Sequence, residues 1–238
     1  MPQEHDVIEY DRIAESYLAV ERVFSTYRHL VELPSFLEAL GPAEGLPVLD
    51  AGCGTGAYAR LLRQRGAGRT LGVDSSPAMI EVARELERKD PVGAEYAVHD
   101  IAEMPVLGSF DVVVAVAVLH YADSTATLAR MCERTYANLK SGGRLLAYVA
   151  NPALPPGSAQ MNGLVVSRPD DPADGDTYHL TIPTTPPTTL PARYWRRGTL
   201  EEALTASGFQ DVSWEPLRGI PDGGIHPPIN LLLSARRN

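Results

Sequence analysis

The chain is poor in cysteine, in aromatic residues and in positive charge, and each shortage excludes a class of protein. Two cysteines, Cys53 and Cys132, in 238 residues cannot staple a disulfide scaffold and read as reduced thiols. Lys plus Arg is 21 against 30 for Asp plus Glu, a formal net charge of −9. Such a surface repels phosphate backbones and anionic bilayers, so neither nucleic acid nor a membrane is expected as a partner. No apolar run approaches the roughly 20 residues of a membrane-spanning helix. The polar, acidic start from Met1 to Asp11 lacks the basic and apolar parts of a secretory signal. No His/Cys or Asp/Glu grouping has metal-ligand spacing, and Asp170, Asp171, Asp174 and Asp176 miss the calcium-loop pattern. A cytoplasmic, metal-free protein is the expectation, and its oligomeric state is not legible.

What the chain does have is apolar content, 44% of its residues, and enough length to bury a two-sided core. Tyr10, Ile13, Ala14 and Tyr17 begin a helical stripe that Val20, Phe24, Tyr27 and Val31 prolong; Pro34 interrupts it and Gly41-Pro42 ends it. The period then changes. Short strands are expected at Pro47–Asp50, Thr70–Asp74, Ala94–His99, Phe110–Leu119 and Arg144–Ala150, with helices between them. One of those helices opens with Ser76 as N-cap and Pro77 in its first turn; another is closed by Ser141-Gly142-Gly143. Val212–Trp214 and Asn230–Ala235 are the last strands. This alternation marks an α/β protein with a doubly wound, mostly parallel sheet.

The alternation breaks in the middle. Nine of the 20 prolines lie between Pro152 and Pro191, a length of irregular chain that suits a lid or binding loop. Val165-Val166 and Tyr178–Ile182 are expected to pair there as a small antiparallel ribbon, and Thr199 with Glu202 reads as a capping box. The division that follows is 1–42 as an N-terminal helical cover, 43–151 as a ligand-binding core, 152–198 as a cap insertion and 199–238 as the completion of the core sheet.

The chemistry concentrates in Val48-Leu-Asp-Ala-Gly-Cys-Gly-Thr-Gly56, where a strand hands over to a helix. Glycines there let backbone approach a ligand, and the helix N-terminus favours an anion. Asp74 ends the next strand, where a carboxylate can accept both hydroxyls of a ribose. Asp100 ends the third strand on the same edge. Gly52, Gly54 and Ala57 also satisfy a loose dinucleotide fingerprint, so an NAD(P)-dependent oxidoreductase stands as an alternative. Asp50 argues against it, because a carboxylate there would crowd a pyrophosphate but welcome a cationic amine.

These residues resemble the class I S-adenosylmethionine-dependent methyltransferases, small-molecule type. The likeness rests on the Asp50-to-Gly56 loop, Gly72-Val73-Asp74, Asp100-Ile101, Phe110-Asp111-Val112-Val113 running into Leu119-His120, and Ser141-Gly142-Gly143-Arg144. It implies a Rossmann-like seven-stranded sheet with an antiparallel last strand, and S-adenosyl-L-methionine as cofactor. Asp50, Gly52 and Gly54 would then cradle the methionyl part, Asp74 the ribose, and Asp100 with Ile101 the adenine, with Gly56 a further cofactor contact. The opening Tyr10-Asp11-x-x-Ala14-x-x-Tyr17 looks like the helix that covers the cofactor, which makes Tyr17 a contact candidate. The function implied is methyl transfer to a nitrogen or oxygen of a small metabolite. A hydroxyl acceptor would want a base, for which His120 (expected to end the fourth strand), His179, Tyr17 and His226 are available. Tyr178, His179, Tyr194 and Trp195 are the candidate substrate contacts, and Arg193, Arg196 and Arg197 could pair with an anionic group on the substrate. A non-catalytic cofactor-binding module of the same fold is the remaining alternative.

Overall fold

The computed structural model describes residue 17 and residues 19–156, 164–218 and 228–238. Tyr10, Asp11, Ala14 and His226 lie outside the described residues. A seven-stranded sheet is built from β1 (Val48–Ala51), β2 (Thr70–Asp74), β3 (Ala94–Val98), β4 (Phe110–Val116), β5 (Leu139–Ala150), β9 (Gln210–Glu215) and β10 (Asn230–Arg236). Its order is β3-β2-β1-β4-β5-β10-β9, and β10 runs antiparallel to both neighbours. The order reverses between β1 and β4, and in open α/β sheets the crevice at such a reversal is where ligands bind.

The central strands of the sheet are buried on both faces, which is why β4 reads as a nearly unbroken apolar run. On one face Leu49, Val113, Ala115 and Leu145 pack under α4 (Thr125–Asn138) and α5 (Arg197–Ala206) through Leu128, Met131, Leu200 and Leu204. On the other, Val48, Val112, Val114 and Tyr148 meet Phe36 and Leu40 of α1 (Leu33–Leu40) and Tyr58 and Leu62 of α2 (Ala57–Gln64). Neighbours along a strand alternate between these cores, as the pleat requires. The helix α3 (Pro77–Lys89) packs Ile80 and Ala83 with Ala94 and Tyr96, and Ser76 Oγ accepts the Met79 amide at 3.1 Å as its N-cap.

Four expectations are corrected. The N-terminal helix does not break at Pro34: residues 19–27 run through a π-helical turn, Arg28–Glu32, straight into α1. The wider turn absorbs the clash that a proline ring makes with the preceding carbonyls. The β4 strand ends at Val116 rather than Leu119, because Ala117 turns the chain with φ +55°. His120 therefore sits in the 3₁₀ turn Leu119–Tyr121. Ser141-Gly142-Gly143 does not close a helix but lies inside β5, with Gly142 at φ +78°.

The fourth concerns the capping box. The α5 helix begins at Arg197, and Thr199 is no N-cap. Asp174 caps from outside, its Oδ1 accepting the Arg196 amide at 2.7 Å and its Oδ2 the Thr199 hydroxyl at 2.6 Å.

A second sheet fills the proline-rich segment. The ribbon of β6 (Val165–Ser167) and β7 (Thr177–Ile182) is present and antiparallel. A third strand, β8 (Thr188–Arg193), pairs with β7 along its whole length. The sequence hid it because Pro191 lies within it, a residue tolerated only where one edge needs no amide donor.

Candidate functional site

The glycine loop divides its tasks. All three glycines have positive φ, +75° at Gly52, +51° at Gly54 and +83° at Gly56, but their Cα atoms face different things. A Cβ on Gly52 would lie 2.4 Å from Val118 Cγ2, and one on Gly56 would lie 2.5 Å from the Tyr96 hydroxyl. Gly56 is thus packed against Tyr96 and does not line the cleft, contrary to its assignment as a cofactor contact. Of the three, Gly54 has room: among the described residues a Cβ there meets only Tyr17 Cε1, at 3.9 Å.

Two aspartates hold the loop. Asp74 Oδ2 accepts the Gly54 amide and Oδ1 the Ser76 amide, both at 2.9 Å. Asp50 Oδ2 accepts the Ala59 amide at 2.9 Å, tying β1 to the first turn of α2. Burial pushes the Asp50 carboxyl up to about 7, the nearby Asp74 charge adding to that and the Ala59 amide opposing it. The carboxyl end of the sheet thus carries an acid that gains its charge only near neutral pH, beneath a glycine turn.

Above the loop opens a cleft of about 900 Å³, lined by Tyr17, Gly54, Asp74, Met79, Asp100 and Ile101 among others. Asp100 Oδ1 accepts the Ala102 amide at 2.9 Å, while its Oδ2 is buried with no hydrogen-bond partner among the described residues. Burial raises this carboxyl too. An orphaned acceptor on a cleft wall is an invitation to a ligand donor.

Tyr17, Gly52, Gly54, Val116, Ala117 and Tyr121 also line an inner chamber of about 1050 Å³. His120 and Tyr178 stand in its wall. His120 is 8% exposed; burial pulls its imidazole down to about 4, and its Nδ1 has no partner among the described residues. Tyr17 is held protonated, burial and the Glu21 carboxylate pushing it up to about 12.

Other expected contacts are not in this chamber. His179 follows Tyr178 on β7 and points the opposite way, into solvent, which removes it as a base and as a substrate contact. Tyr194 and Trp195 line a smaller pocket behind His120. Arg196 and Arg197 are exposed, one 3.9 Å from Asp174 and the other stacked 5.0 Å over Trp214, so they cannot serve an anion in the cleft.

Sequence reasoning missed Arg28, Glu32 and Asn230, which line the chamber's other end. Glu32 is 6% exposed, its carboxyl raised by burial, and Asn230 Nδ2 donates to its Oε1 at 2.8 Å. The available signal was a glutamate on the helix face that carries Phe24 and Val31.

A family model described as a methyltransferase domain matches residues 48–143. Demethylmenaquinone methyltransferase of Thermotoga maritima is 33% identical over 168 residues, 69% of each chain. The chain belongs to the class I S-adenosylmethionine-dependent methyltransferases. A ubiquinone biosynthesis O-methyltransferase from Methylocella silvestris is 30% identical over 63% of this chain and 64% of its own length. The chain spans 45% to 69% of the length of such curated relatives. Among solved structures, the amino pentose methyltransferase CalS10 from Micromonospora echinaspora, with S-adenosylmethionine bound, superposes with a TM-score of 0.65 at 17% identity. That match covers 94% of this chain and 97% of that one.

The residues present fit the family's cofactor, S-adenosylmethionine. The side-chain-free face of Gly54 leaves space where a cofactor must pass close to backbone. Asp74 lines the cleft beside Gly54, and Asp100 Oδ2, without a partner among the described residues, matches a donor such as an amino group.

Proposed function

We propose that this methyltransferase transfers the methyl group of S-adenosylmethionine to a small molecule held in the inner chamber. The observation that carries the reading is continuity: the cleft and the chamber share the wall made by Tyr17, Gly52, Gly54, Val116, Ala117 and Tyr121. Gly54 and Asp74 would hold the ribose, Asp100 and Ile101 the adenine, and Asp50 with Gly52 the methionyl part. Tyr17 would cover the junction. The segment 152–198 would act as the cap over the acceptor, with Tyr178, Leu180 and Leu190 as its chamber wall.

When bound, the cofactor supplies a methyl group already activated on a sulfonium. The chain's own contribution is then mainly to align the acceptor and keep water out, which can be worth about 7–11 kcal/mol. Phe24, Leu154, Leu180, Leu190 and Ile229 give the chamber the apolar walls for that task. Two observations favour an oxygen acceptor over nitrogen. His120, a residue of the chamber wall, is held neutral by burial, and its Nδ1 has no partner among the described residues; a neutral imidazole is the state needed to take a hydroxyl proton. The Methylocella silvestris relative is itself named an O-methyltransferase.

The test combines binding and turnover. S-adenosylhomocysteine should bind in calorimetry, and methyl-labelled cofactor should label members of a panel of small phenols and alcohols. Absence of binding would overturn the cofactor site. Labelling confined to amines would overturn the oxygen assignment.

A further inference from the structure

The small pocket behind His120 is lined by groups of which the proposed methyl transfer uses only His120 and, as chamber wall, Tyr178. Its walls include His120, Arg168, Tyr178, Arg193, Tyr194 and Trp195. Besides Tyr178, two of these are more than nine-tenths buried, His120 at 8% exposed and Trp195 at 4%. Both carry a buried nitrogen without a partner among the described residues, Nδ1 of His120 and Nε1 of Trp195. An indole N–H is a donor and nothing else, so the Trp195 nitrogen calls for an acceptor.

The charge around it agrees. Arg168 and Arg193 are half-buried, and neither has a carboxylate within ion-pair distance among the described residues, although the chain as a whole carries a net charge of −9. Both guanidinium groups are oriented by neutral oxygens instead. Arg168 donates through Nε and Nη2 to the Leu154 carbonyl at 2.8 and 2.6 Å and stacks 5.6 Å over Tyr194. Arg193 Nη1 donates to the Thr177 hydroxyl and, at 3.5 Å, to the Gly175 carbonyl. Two positioned cations and an orphaned indole donor around one cavity form a receptor for an oxyanion.

The pocket and the chamber are neighbours. They share His120, Ala150, Leu154 and Tyr178. We propose that this pocket binds an acidic group, a carboxylate or phosphate, carried by the acceptor molecule, so that the enzyme selects small anionic acceptors and seats their uncharged end in the chamber. The inference rests on the methyl-transfer reading for the identity of the molecule that carries the anion.

The chain has two tryptophans, so Trp214→Phe makes Trp195 the sole reporter. In that variant, benzoate should change Trp195 emission saturably, while benzamide, equal in shape but uncharged, should not. Arg193→Gln and Arg168→Gln should each weaken benzoate roughly tenfold or more. Arg193→Lys and Arg168→Lys, which keep the charge, should retain part of the affinity and so separate loss of the anion from loss of fold. No benzoate response, or an equal one from benzamide, overturns the proposal. Inorganic phosphate binding as well as benzoate while leaving labelling of acidic acceptors uninhibited also overturns it, since the site would then serve a free ion. S-adenosylhomocysteine calorimetry on the same protein keeps the two readings apart: its loss sinks the methyl-transfer reading, whereas intact cofactor binding without an anion response sinks only this one.

Discussion

Asp74 accepts the backbone amide of Gly54 at 2.9 Å across 20 residues of sequence. The acidic end of β2 and the one glycine whose bare face meets the cleft are therefore a single unit. The second oxygen of Asp74 holds the Ser76 amide at the start of α3, so the loop, the strand end and the helix entry are fixed relative to one another before any ligand arrives. Preorganisation of this kind spares the ordering that binding would otherwise require.

The glycines should separate experimentally. Gly54→Ala puts a methyl group into the cleft but meets no atom of the described residues nearer than 3.9 Å. Its backbone strain, about 1–2 kcal/mol for a left-handed residue, should leave the protein folded while S-adenosylhomocysteine affinity falls at least about tenfold. Gly52→Ala drives a Cβ to 2.4 Å from Val118 and should lower the melting temperature as well as binding. Equal effects of the two on melting would contradict the division of tasks.

Asp50 gives a pH signature. Its folded carboxyl stands near 7 against an ordinary 3.8, so between those values the folded chain holds a proton that the unfolded chain has released. Stability from this group must therefore decline as pH rises from about 4 to 7, by an amount on the order of 4 kcal/mol. Asp50→Asn, which keeps an acceptor for the Ala59 amide, should flatten that decline in urea titrations run across the range. A cationic cofactor favours the ionised form, so binding near pH 6.5 should release protons, seen as a dependence of calorimetric heat on buffer ionisation enthalpy that the variant lacks.

For His120 the direction is opposite. Its imidazole titrates near 4 rather than 6.5, so on acidification through that interval the unfolded chain takes up a proton first, and the stability present above about 6.5 is lost as pH falls. In NMR titration its ring signals should stay unmoved from pH 8 to 6. With a hydroxyl acceptor, His120→Asn should cut turnover by about 10²–10⁴ with cofactor affinity retained; an unchanged rate would remove His120 from the chemistry.

The core was legible because each strand buried on two faces leaves an apolar run, and because local devices such as Ser76-Pro77 act over a few residues. The limits β2 Thr70–Asp74 and the N-cap at Ser76 follow from such short-range physics. Direction was less legible. Tyr178 and His179 are adjacent on a strand and must face opposite sides, so they could not both line one chamber; the period-2 rule carried that information. What the sequence could not carry was contact between distant segments. Nothing local says that Gly56 lies on Tyr96, that Trp195 sits behind His120, or that Glu32 meets Asn230 across 198 residues.

The cap of α5 offers a last discrimination between local and distant contacts. A capping box would make Thr199 and Glu202 reciprocal partners, and removing either would cost about 1 kcal/mol. In the structure Glu202 is exposed, and the N-terminus of α5 is held by Asp174 from the segment between β6 and β7, through the Arg196 amide and the Thr199 hydroxyl. Asp174→Ala should therefore destabilise by about 1–2 kcal/mol, a fall of several degrees in melting temperature for a chain of this size. Thr199→Ala should lose part of that, and Glu202→Ala almost none. Because Asp174 also fastens the segment carrying β7 and β8 to the core, Asp174→Ala should raise protease sensitivity between β6 and β8 more than elsewhere. Equal losses at Glu202 and Asp174 would restore the local capping box and detach that segment's hold on α5.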